Sequence, residues 1–429
     1  MLLALALVLS IPQTPAAPLS PPAECVKAAR DFASAQQRLQ TPLTRAKVDK
    51  IEADKKEMAK TCAARIDVAK LSASELVGMV ELYGETGEPE KAKAALSAAL
   101  ARTDLAPADR GAALMQAIIT GLREPRAPGR NDRLEELMTQ LDAIGPAAFD
   151  SQFNAHVRLN GEYRSDDIDA GIIKHSTWII NASKSWTPET VPNRNYPSVF
   201  AQAYVNIAEA WAGQGMTDKA LAMLREGSAK WGSVSPRPGS SLKETYFDDE
   251  IGRLELVGLP AAALTAPAWF NKPANSNELA MPGHVTLLEF TAHWCGPCRE
   301  SYPGVNRLRA KYGPQGFRVA MATRLYGYFG AEQNLAADAE IAKDKTYFAE
   351  HELGDIPVAI GGKIDIKVTN GKVEYIPARD PNDVAYRVGG IPQIMLIDKK
   401  GKIRLIMVGY DDVNEPRLAK MIEDLLKEK

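Results

Sequence analysis

The sequence predicts two architectures in series, an all-α helical-repeat region followed by an α/β sandwich. From Cys25 to about Val257, Ala, Leu, Glu and Lys recur at helical spacing and β-branched runs are scarce. Two segments of that stretch resemble each other. Beyond residue 258, extended apolar runs alternate with helical ones.

With 429 residues, 45% of them hydrophobic, the chain is long enough for two or three packed domains. Its formal net charge is −2, with basic and acidic residues interspersed and no basic block interleaved with aromatics. That pattern argues against a nucleic-acid partner and leaves proteins or small molecules.

Met1 to Ile11 form a short apolar run followed by Pro, Thr and Ala, which reads as a signal peptide over 1–17 with cleavage near Ala16 or Ala17. The run is too short to span a bilayer. The expectation is a soluble exported protein, periplasmic or secreted, because Glu24 beside Cys25 does not suit a lipid-acylation site.

The helical region is expected over 25–257. Leu82 to Ala92 with Leu96, and Ala210 to Ala220 with Leu224, each read as helix, Gly-containing turn, helix. Tyr83 and Trp211 precede the turns, and small Ala92 and Ala220 permit close crossing. Both patterns resemble tetratricopeptide units, which would make this region a protein-docking surface or a dimerisation module; the alternative is a helical domain whose Ala and aromatic stripe is only core. Turn-formers from Trp231 to Ser241 suggest a linker, and Phe247 to Leu254 one more helix. Cys25 and Cys62 form a candidate structural disulfide, worth roughly 3–4 kcal/mol in the chain-entropy model. Two independent buried thiols are the alternative.

The second domain is expected over 258–429, with extended segments at Val285–Phe290, Phe317–Ala322, Gln393–Asp398 and Lys402–Val408. Helices are expected at Glu300–Lys311, Ala331–Glu352 and about Glu415 to Leu426. Between the first strand and first helix lies Trp294-Cys295-Gly296-Pro297-Cys298. A strand there delivers Cys295 to a helix N-terminus, where free N–H groups and the macrodipole favour a thiolate, with Cys298 one turn on and within disulfide reach. A zinc site would need further ligands, and only His156, His175, His284, His293 and His351 are scattered through the chain. A carboxyl within the apolar run Leu287-Leu288-Glu289-Phe290 is costly to bury without a partner or a task. Glu289 therefore either serves the cysteines or faces outward in a salt bridge.

The C-x-x-C motif, Pro303 five residues beyond its second cysteine, Gly390-Ile391-Pro392 before a strand and a Lys-Gly turn, and Val408-Gly409 occur in that order. On these residues 258–429 resemble the thioredoxin superfamily, and most of all its extracytoplasmic TlpA-like branch. The resemblance implies a cis bond at Pro392 opposite the cysteines, leaving the backbone at Gly390 and Ile391 free to pair with a substrate strand, with Trp294 and Gly409 bordering it. It implies that Cys295 attacks a substrate disulfide, that Cys298 resolves the mixed disulfide, and that Glu289 relays the proton of the second cysteine. His293 reads as a bystander. No metal or bound cofactor is expected. Partners would be protein disulfides and an upstream membrane electron donor.

Gly-Pro between the cysteines favours a reductase; a disulfide isomerase or oxidase, or a binding scaffold with a vestigial redox domain, are the alternatives. The chain departs from a minimal thioredoxin by an insertion around 324–378. It holds the aromatic and Gly-rich loop Arg324 to Gly330, and an alternating pair, Lys363–Val368 and Lys372–Ile376, that reads as a hairpin. The insertion either shapes substrate choice or decorates the surface.

Overall fold

In the computed structural model, residues 21–39, 43–236, 245–272, 283–369, 372–376 and 379–428 are described. The expected signal peptide, residues 237–241 of the expected linker, and Asn370-Gly371 at the expected hairpin turn lie outside these.

The chain forms helices α1 (Pro21–Leu39), α2 (Arg45–Ala63), α3 (Ala73–Thr86), α4 (Pro89–Leu100), α5 (Pro107–Leu122), α6 (Arg130–Asp142) and α7 (Phe149–Ser165). Next come α8 (Asp169–Ala182), α9 (Tyr196–Gly213), α10 (Thr217–Trp231) and α11 (Asp248–Leu254). Both repeated segments are helical hairpins: α3 and α4 turn at Gly87, α9 and α10 at Gly215, with φ of 68° and 77° that glycine adopts without steric cost. At equivalent places Lys91 lies over the Tyr83 ring (5.7 Å) and Lys219 over Trp211 (5.4 Å). The sulfurs of Cys25 and Cys62 are bonded, joining α1 to α2.

The α/β part follows as β1 (Ala268–Phe270), β2 (Val285–Phe290), α12 (Gly296–Tyr312), β3 (Phe317–Arg324), β4 (Tyr328–Phe329) and β5 (Glu332–Gln333). Then come α13 (Ala337–Glu350), β6 (Val358–Gly361), β7 (Asp365–Thr369), β8 (Lys372–Ile376), α14 (Pro381–Ala385), β9 (Gln393–Ile397), β10 (Ile403–Val408) and α15 (Glu415–Lys427). Six strands form one mixed sheet in the order β1-β6-β3-β2-β9-β10. The pairs β2–β3 and β3–β6 are parallel, bridged by α12 and α13; β1–β6, β2–β9 and β9–β10 are antiparallel. A helical region followed by an α/β region is thus the architecture the sequence predicts.

Strand β2 is buried along its whole length, as a central strand covered on both faces must be. Its alternation sends Val285 and Leu287 into the core beneath Cys298, Tyr302 and Val305 of α12, and Leu288 and Phe290 into the opposite layer with Met395 and Tyr386. Glu289 shares the α12 side with Val285 and Leu287.

One expectation needs correction. The helix expected over Ala331–Glu352 begins only at Ala337. Ahead of it, β4 and β5 pair as a short hairpin, Asn334 takes a left-handed φ of 57°, and the Leu335 N–H donates to Gly327 O (2.9 Å). The chain divides into two compact units between His156 and Val157, inside α7. The later helices pack with the α/β part: Arg417 of α15 donates to Asp167 (2.9 Å) and Asp169 (2.6 Å), and the Gly258 N–H donates to Ile403 O (2.7 Å).

Candidate functional site

Strand β2 ends at Phe290, and Thr291 N–H still donates to Ala322 O of β3 (2.9 Å), so the chain leaves the sheet late and enters α12 within a few residues. Cys295 is the N-cap of that helix: its sulfur accepts the Cys298 N–H at 3.1 Å. A side-chain acceptor at this place satisfies one of the orphan amides and sits at the positive end of the macrodipole, so a thiolate there is favoured over a thiol. Cys295 and Cys298 are bonded to each other, with Cα atoms 5.3 Å apart. Cys298 is fully buried and Cys295 is 3% exposed, so Cys295 is the less deeply buried of the two.

The Ile391–Pro392 peptide is cis. Ile391 O lies 3.8 Å from Cys295 Sγ. The Gly409 N–H, at the end of β10 with φ of 83°, donates to Pro392 O at 2.8 Å. Gly409 thus holds the proline loop from behind, and its amide is occupied. Gly390 lies in the same loop, where a Cβ would meet Val408 Cγ1 at 3.3 Å.

Glu289 is fully buried and its carboxyl forms no ion pair among the described residues. Its Oε1 lies 3.0 Å from the Ser301 hydroxyl, and Oε2 has no partner among the described residues. Burial is the main influence and pushes its pKa up to about 8, while the Ser301 hydroxyl acts the other way. The outward-facing salt bridge is therefore ruled out.

Trp294 is 47% exposed, so it is not a core residue. Its ring meets Tyr326 edge-on with centroids 5.5 Å apart. His293 is buried, stacked on Phe329 at 4.6 Å and flanked edge-on by Tyr326 and Tyr328. Burial, with a smaller contribution from the Arg299 charge, lowers its pKa to about 4, so the ring is neutral at physiological pH. His293 is where the insertion packs against the motif. The signal available in the sequence was the aromatic run Tyr326-Gly327-Tyr328-Phe329.

Two N–H donors fix that aromatic loop from below. Glu340 of α13 is buried and accepts from Tyr326 N (2.6 Å) and Gly327 N (2.7 Å). Beside the disulfide this leaves a concavity of about 180 Å³ lined by Trp294, Arg324, Tyr326, Asp383, Gly390 and Ile391. Arg324 spans it, its guanidinium 5.2 Å from the Tyr326 ring and 3.4 Å from Asp383. Among the described residues no group of three His, Cys, Asp or Glu side chains converges as a metal centre needs.

The bonded pair Cys295–Cys298 thus caps a helix beside a cis proline, and a buried carboxyl lies on the preceding strand. No family model and no curated protein matches the chain. Among solved structures it is similar to a Chlorobium tepidum protein described as the thiol:disulfide interchange protein DsbE, with 30% identity over 34% of this chain and 81% of that one, TM-score 0.24. A thiol-disulfide isomerase of Corynebacterium glutamicum shares 22% identity over 40% and 97%, TM-score 0.30. The thioredoxin domain of a Bacteroides vulgatus thiol-disulfide oxidoreductase shares 17% over 40% and 98%, TM-score 0.28.

Proposed function

We propose that this chain is an exported, thioredoxin-like thiol–disulfide oxidoreductase of the TlpA-like kind that reduces protein disulfides through Cys295 and Cys298. The observation that carries the reading is the placement of a bonded Cys295–Cys298 pair at the N-terminus of α12, 3.8 Å from the carbonyl that precedes a cis proline. In the reduced chain, the Cys295 thiolate attacks one sulfur of a substrate disulfide. The other sulfur leaves as a thiolate and takes a proton from solvent. Cys298 then gives its proton to Glu289, and its sulfur attacks Cys295 Sγ. The bond between Cys295 and the substrate breaks, and the second substrate sulfur departs as a thiolate. Two electrons have moved from the chain's dithiol to the substrate. A carboxyl whose pKa is about 8 is close enough to an ordinary thiol to accept its proton. Ile391 and Gly390 supply backbone for a substrate strand, and Trp294 borders it. A membrane electron donor recharges the pair, and the helical hairpins, read as tetratricopeptide-like, dock protein partners.

Direction is tested by equilibrating the full chain in graded thiol–disulfide buffers and trapping free thiols. The expected potential is near that of thioredoxin, about −270 mV. A value near about −120 mV would instead make the protein an oxidant or isomerase.

A further inference from the structure

Ser301 is fully buried on the first turns of α12, and its Oγ lies 3.0 Å from Glu289 Oε1 and 2.7 Å from Cys298 O. Both neighbours are acceptors when Glu289 is ionised, yet a serine hydroxyl carries a single proton. It can satisfy one of them at a time. When the carboxyl is ionised, the stronger charge-assisted bond draws the proton to Oε1. When the carboxyl is neutral, the hydroxyl is released to the Cys298 carbonyl, the local back-bond open to a serine within a helix.

We propose that Ser301 is a positioning residue of the redox centre: its hydroxyl holds Glu289 Oε1 when the acid is charged, presenting Oε2 to the Cys298 proton, and turns to Cys298 O when the acid is neutral. This rests on the redox reading above. Three features support it beyond the two hydrogen bonds. Oε2 has no partner among the described residues, so it is the oxygen left for proton exchange. Glu289 has apolar Met321 and Ile394 beside it in register on β3 and β9. Among the described residues, Tyr302 on α12 and Tyr347 on α13 feel its charge, both shifted upward chiefly by burial and so neutral at physiological pH. Among the described residues no charged side chain opposes burial at Glu289; the Ser301 hydroxyl does.

The test uses the full reduced chain and its Ser301→Ala, Ser301→Thr and Glu289→Gln variants. Alanine removes one buried atom and retains high helix propensity, so the fold persists. The Glu289 titration is followed by the infrared band of its protonated carboxyl, identified by its loss in Glu289→Gln. Oxidation of the dithiol by glutathione disulfide is timed in parallel across pH. Ser301→Ala is expected to move the midpoint up by about one pH unit, slowing oxidation near neutrality by about tenfold and converging with wild type at alkaline pH. Ser301→Thr, which keeps the hydroxyl, is expected to restore the midpoint. An unmoved midpoint in Ser301→Ala overturns the assignment, as does a rate loss equal at all pH values, which marks a packing defect. If Cys295→Ser leaves disulfide reduction intact, the redox reading itself fails, and that outcome is independent of either Ser301 variant.

Discussion

The carboxyl of Glu289, held at a pKa of about 8 by burial, ties stability to pH in the opposite sense from an ordinary surface glutamate. Its folded-state pKa lies above the usual 4.5, so the neutral acid contributes stability fully below about pH 4.5. That contribution drains away as pH rises through about 8. Each pH unit in the window is worth at most about 1.4 kcal/mol. Glu289→Gln, a neutral group of the same shape, is therefore expected to flatten the fall in denaturant midpoint between weakly acidic and alkaline pH. A variant that loses stability with pH as wild type does would remove Glu289 as the cause. The acid was legible in the sequence because a lone carboxyl interrupts an apolar strand whose period-two pattern places it with Val285 and Leu287. Ser301 was not. A serine inside a helix carries no signal until its neighbour across the layer is known.

At the scale of elements, the loop between β3 and α13 joins the insertion to the redox motif. Glu340 ties down the backbone of Tyr326 and Gly327, and their aromatic neighbours pack on His293 and Trp294. Glu340→Ala would leave two amides, one buried and one partly buried, without their acceptor, a cost of about 2–3 kcal/mol. The expected result is a raised KM for a peptide disulfide with little change in the rate towards a small dialkyl disulfide. Equal loss on both substrates would mean that the loop supports the cysteines and not the substrate. The sequence showed the aromatic run and the β7–β8 hairpin. It misplaced the start of α13 because Ala331 to Ala336 has helical composition, and nothing local revealed that β4 and β5 would pair across Gly330. The short strands β1 and β6 were missed for a related reason. Val358–Gly361 spans only four residues, and its strand character comes from lying beside β3.

For the whole molecule, the order of architectures was readable because helical composition gives way to alternating segments near residue 258. The division into compact units was not. It depends on pairs distant in sequence, such as Arg417 with Asp167 and Asp169, and on the strand-like bonds that attach Gly258 and Ala261 to Ile403 and Gly401. Charged residues spaced this far apart leave no periodic trace. The Cys25–Cys62 bond joins α1 to α2, whereas the Cys295–Cys298 bond lies at the N-terminus of α12. The most direct measurement is a trap in the full chain: reduced Cys298→Ser is mixed with a peptide disulfide, and the adduct is mapped by mass spectrometry before and after reductant. The account predicts a single reducible peptide adduct on Cys295 that persists because no second thiol resolves it. Absence of an adduct, or its appearance elsewhere, would contradict the assignment of Cys295 as the attacking sulfur.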